Sequence, residues 1–98
     1  MTITLPPVHP GEILRDEFLL PLSLSAGALA KKLNVPRTRI ERLAAEQTAL
    51  TPDTALRLAR FFDTSPQFWM NLQTSYDLKV EAAAKAEEIA AIPVMSAA

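Results

Sequence analysis

Apolar residues return every three or four positions along this chain and almost never alternate strictly, which is the pattern of amphipathic helices rather than strands. Prolines and small polar residues cut the pattern into segments. Ile13, Leu14, Phe18 and Leu20 form one stripe, predicting a first helix over Gly11 to Leu20, entered at Pro10 and ended by Pro21. Its early turns carry Glu12, Asp16 and Glu17, acids that suit the positive end of a helix dipole. Ser25 reads as the N-cap of a second helix whose inner face is Leu29, Ala30 and Leu33. Asn34, which tolerates a left-handed backbone, takes the turn. Pro36 is expected at the first position of a third helix, where its missing N–H costs nothing. Ile40 and Leu43 then face inward, Arg37, Thr38, Glu41 and Arg42 outward, and Arg39 lies near the edge.

The segment from Glu46 to Leu50 reads as a loop. Thr51 with Pro52, and Ser65 with Pro66, are cap-then-proline signals that open a fourth and a fifth helix. Ala55, Leu58, Ala59 and Phe62, joined by Leu56 and Phe61, make the apolar side of the fourth. Phe68, Trp69, Leu72 and Tyr76 make that of the fifth. Leu78 to Ile92, rich in alanine, glutamate and lysine, is expected to be helical but poor in bulk, and residues 93–98 to fray. The predicted organisation is an extended arm over 1–9, a compact all-α domain of five helices over 10–79, and a C-terminal helical extension with a frayed tail over 80–98.

Length and composition narrow the function. Ninety-eight residues make one domain with a modest core. The absence of cysteine rules out disulfides and thiolate metal sites, and with His9 the sole histidine no His-based metal or catalytic cluster can be assembled. No serine has a histidine partner in a nucleophilic arrangement, so no enzyme and no cofactor is expected. No signal peptide and no membrane span is read, which suggests a cytoplasmic protein.

The net charge is −1, yet Lys31, Lys32, Arg37, Arg39 and Arg42 stand against Glu41 alone within residues 25–45. One basic patch on an acidic body can steer DNA to a single face. Two short helices joined by a tight turn, the second opening on arginines, form the arrangement that places side chains in the DNA major groove. There, an arginine can donate to guanine O6 and N7, and a threonine can hydrogen-bond a base or touch a thymine methyl. Ser25 and the free N–H groups beside it can hold a phosphate. The alternative is that the three arginines are a solvated face, with Glu41 as a surface charge partner. Arg57 and Arg60 are read as partners of Asp53 or Asp63 rather than of DNA. Phe68, Trp69, Leu72 and Tyr76 close the protomer's core or meet a second copy, which is needed if the DNA site is palindromic.

Several segments together carry a family resemblance over about residues 9–79. They are His9-Pro10-Gly11-Glu12-Ile13-Leu14, Leu29-Ala30, Val35-Pro36-Arg37, the run from Thr54 to Phe62, Phe68-Trp69-Met70-Asn71-Leu72-Gln73 and Tyr76-Asp77-Leu78. The chain resembles the HigA-type antitoxins, a branch of the Xre/Cro-like helix-turn-helix family. The resemblance implies a Cro/C1-type fold and a bacterial antitoxin. Such a protein neutralises a cognate toxin, typically a messenger-RNA endonuclease, and represses its own operon as a homodimer on double-stranded operator DNA. It makes Arg37, Thr38 and Arg42 base-facing and Arg39 a base or phosphate contact. A stand-alone repressor, or a protein-binding module of the same fold without DNA affinity, are the alternatives. Two features depart from the family. Glu46-Gln47-Thr48-Ala49 stands where a turn like Asn-Gly-Lys-Arg is usual, and Gly27-Ala28 replaces larger residues.

Overall fold

The expected all-α architecture is present within residues 6–96, the part of the chain that the computed structural model describes. Residues 1–5 of the predicted arm and 97–98 of the predicted tail lie outside it. In order come α1 (Pro10–Ile13), a π-helical stretch (Leu14–Leu19), α2 (Ala26–Leu33), α3 (Arg37–Ala44), α4 (Pro52–Phe62), α5 (Pro66–Ala84) and α6 (Ala86–Ala90). No strand occurs among the described residues.

The starts of the helices follow from their caps. The imidazole of His9 accepts from the Gly11 N–H at 2.9 Å. Ser25, Thr51 and Ser65 each accept from the backbone N–H three residues on. Proline stands at the first helical position at 10, 52 and 66. Pro36 differs from expectation: with ψ at 141° it is the cap residue itself, and α3 begins at Arg37.

The first helix differs too. Past Ile13 it widens, and Leu20 N–H donates to the Arg15 carbonyl five residues back. The wider turn brings Leu14 and Leu19 together into the core and leaves Leu20 exposed, so a 3.6-residue stripe that includes Leu20 is out of phase here. On α4, Leu56 and Phe61 are likewise exposed rather than inward, while Ala55, Leu58 and Ala59 are buried.

The core gathers Leu14, Leu29, Ile40, Leu43, Leu58 and Trp69 from five segments. Trp69 is entirely inside, its ring 4.9 Å from Phe18 and 5.0 Å from Phe68. Its indole N–H donates to Thr64 at 2.8 Å, so the one polar atom of the ring is satisfied. The tryptophan therefore closes the protomer and has no surface to offer a second copy.

Two close contacts fix α3 against its neighbours. A Cβ built on Gly11 would lie 1.8 Å from the Leu43 carbonyl oxygen, so α1 starts against the end of α3 in a space only glycine fits. The buried Gln73 of α5 accepts from the Leu50 N–H at 2.6 Å and donates to Asp77 at 2.8 Å, pinning the segment after α3. Gln73→Ala leaves that buried N–H unpaired and is expected to cost about 1–3 kcal/mol in urea unfolding. A loss below a few tenths of that would mean water replaces the amide.

Residues 80–96 are all exposed. The helix expected from Leu78 to Ile92 is present as the end of α5 and as α6, broken at Lys85, whose ψ of 22° interrupts the ladder. Ile89 and Ile92 face solvent.

Candidate DNA interface

The unit formed by α2 and α3 is built from its turn outward. Asn34 sits at φ 58°, ψ 49°, and its N–H together with that of Val35 closes the last carbonyls of α2. One further α2 carbonyl, that of Leu33, accepts from Arg57 of α4 at 2.8 Å. Leu29, Ala30 and Leu33 bury one face of α2, and Ile40, Leu43 and Ala44 one face of α3. Arg37, Thr38, Arg39, Glu41 and Arg42 are therefore left exposed.

These residues fall on two sides of α3. Arg37 lies toward α2: its Nε donates to Glu41 at 3.2 Å, and a Cβ on Gly27 would be 3.3 Å from that same atom. The glycine gives the arginine room to lie along the start of α2. Arg37, Glu41, Lys31, Lys32, Gly27 and Ser25 line one groove. Arg37 remains largely solvent-facing, 75% exposed, so its surface ion pair holds it only weakly. The Ser25 hydroxyl oxygen accepts from Ala28 at 3.0 Å and caps α2.

On the other side, Thr38, Arg39 and Arg42 line a second groove with Thr48, Ala49 and Asp53. No hydrogen bond or ion pair engages the Arg42 side chain among the described residues. Arg39 is engaged: its Nη1 donates to Asp53, which also accepts from Arg57 Nε at 3.0 Å. The Arg57 bond, then the Arg39 bond, hold the Asp53 carboxyl below its usual range. Because its folded-state pKa is lowered, these pairs persist at neutral pH and are lost only as pH falls below the ordinary carboxylate value. The i,i+4 pair of Asp53 with Arg57 follows the sequence expectation. The pair with Arg39, fourteen positions away, has no local signal, and Arg60 makes no ion pair among the described residues.

The unusual loop is explained in part. Glu46 adopts φ 62°, the conformation an asparagine or glycine takes most easily. Its carboxylate accepts from Arg15 Nη1 at 3.2 Å, and the same nitrogen donates to the last carbonyl of α3, that of Ala44, at 2.7 Å. The hydrogen bonds to Asp16 and then Glu46 raise the Arg15 pKa above its ordinary value. The acid of the loop is thus paired within the protein, and Arg15 is a residue that the reading of the sequence missed.

Of the residues read as a dimer surface, Trp69 is internal. Phe68 is 39% exposed, Leu72 is half-buried, and Tyr76 packs edge-on against His9 with centroids 4.9 Å apart. Among the described residues, no group of three or more acids or histidines could hold a metal, and no helix is long and apolar enough to cross a membrane.

A short capped helix, a left-handed turn and a second helix that buries one face and offers arginines and a threonine on the other define a helix-turn-helix protein. A family model described as "Helix-turn-helix" matches residues 16–69. Virulence-associated protein I of Dichelobacter nodosus is 55% identical over 76 residues, 78% of this chain and 70% of that protein. Antitoxin HigA-1 of Vibrio cholerae is 38% identical over 72 residues, 74% of this chain and 68% of that protein. The solved structure of Pseudomonas aeruginosa antitoxin HigA with higBA promoter superposes with a TM-score of 0.89 at 46% identity, covering 92% of this chain and 99% of the other. The chain belongs to the helix-turn-helix family, on its HigA-type antitoxin branch.

Proposed function

We propose that this protein is the antitoxin of a type II toxin–antitoxin pair, a DNA-binding regulator rather than an enzyme, acting in the cytoplasm. It neutralises a partner toxin, an mRNA endonuclease, and binds operator DNA as a homodimer to repress its own operon. The observation that carries the DNA side is the exposed face of α3. Arg37, Thr38 and Arg42 stand on a short helix whose opposite face is locked into the core, so they reach a groove without losing register. Arg37, at the first helical position, is the natural base reader, and Arg42 reaches the next bases or the backbone. Ser25 and the start of α2 serve a phosphate. The likeness to an antitoxin whose structure contains its promoter supports this reading. Exposed Phe68, Leu78 and Val80 with half-buried Leu72 and Tyr76 offer apolar area on α5 for the second copy.

Selection of bound sequences from random duplex DNA tests the proposal. A palindromic consensus is expected, and Arg37→Ala is expected to lose discrimination at one position of each half-site by roughly 5- to 150-fold, the equivalent of about 1–3 kcal/mol. Equal discrimination by Arg37→Ala refutes the assignment. Co-expression with the adjacent small reading frame tests the other half: restored growth identifies the toxin, and unrelieved toxicity leaves a stand-alone repressor.

A further inference from the structure

We propose that Asp53 is a positioning residue that sets the operator specificity of this protein by holding Arg39 at the edge of the reading helix. The inference rests on the DNA-binding reading above. One oxygen of Asp53, Oδ2, accepts from both Arg39 of α3 and Arg57 of α4. Arg57 in turn donates to the Leu33 carbonyl at the end of α2. A continuous line of hydrogen bonds therefore runs from the end of the first helix of the unit, through α4, to a side chain of the second. Arg39 shares its groove with Thr38 and Arg42, so what it offers is offered beside the base-reading positions.

Two physical consequences follow. A guanidinium carries five N–H donors, and the bond to Asp53 engages Nη1 only. The remaining donors are presented by a side chain that this bond restrains, so less ordering entropy opposes a contact made in the right register. The carboxylate, shared by two guanidiniums, also lowers the charge that this cluster shows to DNA that does not fit from +2 to +1. A free arginine attracts any phosphate; a paired one contributes little to sequence-independent binding. Asp53 thus trades general affinity for register.

The test is a comparison of Asp53→Asn, Arg39→Gln and the double variant with wild type. Each is titrated against the duplex recovered by selection and against a scrambled duplex, over a series of salt concentrations. Asparagine keeps an acceptor for Arg57 and removes the charge. Asp53→Asn is expected to bind the scrambled duplex several-fold tighter, with a log–log salt slope steeper by about 0.9, one phosphate's worth. The ratio of selected to scrambled affinity is expected to fall about fivefold, the low end of what a positioned contact discriminates. In the Arg39→Gln background the same substitution should leave the ratio unchanged. An unchanged ratio in Asp53→Asn, or an equal fall in both backgrounds, overturns the proposal. If Asp53→Asn unfolds, Asp53→Ser takes its place in the same cycle with the same readings, and an Arg39→Gln ratio equal to wild type overturns the proposal by itself. Failure of wild type to prefer the selected duplex would instead overturn the DNA-binding reading itself.

Discussion

Gly11→Ala is expected to abolish the cooperative unfolding transition or move it to very low denaturant. The added methyl would sit 1.8 Å from the Leu43 carbonyl oxygen. That oxygen is backbone, near the end of a helix, and cannot rotate aside as the tip of a side chain does. Either α1 lifts from α3 or the last turn of α3 unwinds, and both disturb the core to which Leu14 and Leu43 belong. Overpacking a core ordinarily costs about 1–3 kcal/mol. Here a whole helix–helix contact is displaced, within a total stability of about 5–15 kcal/mol. Urea titration followed by circular dichroism measures it. A midpoint within about 1 kcal/mol of wild type, using the ordinary urea slope, would show that the two helices part at little cost.

Trp69→Ala is expected to cost about 3–5 kcal/mol in the same measurement. The ring is wholly buried against Phe18, Phe62 and Phe68, and its removal empties the space where the π-helical stretch, α4 and α5 meet. It also strands the Thr64 hydroxyl. Trp69→Phe keeps most of the volume and deletes the hydrogen bond, so it should recover more than half of the loss. If alanine and phenylalanine were equally costly, the Thr64 bond rather than packing would dominate.

Helices were legible because their punctuation is chemical and local. Ser25, Thr51 and Ser65 accept the N–H groups they were expected to accept, Asn34 is left-handed, and the exposed face of α3 holds the residues its periodicity assigned there. Most of the failures depend on contacts between distant positions, and the rest lie in local backbone geometry that a 3.6-residue pattern does not record. Leu20 points outward because the first helix widens, and nothing in a 3.6-residue pattern records that change. Leu56 and Phe61 are apolar residues whose exposure only the packing of α4 reveals. Arg39 reads locally as a free cation, and its partner Asp53 lies across a loop. The same holds for Arg15, which looks like the partner of Asp16 and also caps α3.

Arg15 and Gly11 give the first helix a consequence for recognition. Both act on the final turn of α3, one by donating to Ala44 and binding Glu46, the other by admitting Leu43 to close range. The pitch of α3 relative to the body is thus set from a helix outside the α2–α3 unit. A molecule that grips residues 10–19 more tightly in one setting of that pitch than in another changes the affinity for DNA. By linkage, DNA then changes the affinity for that molecule by the same factor.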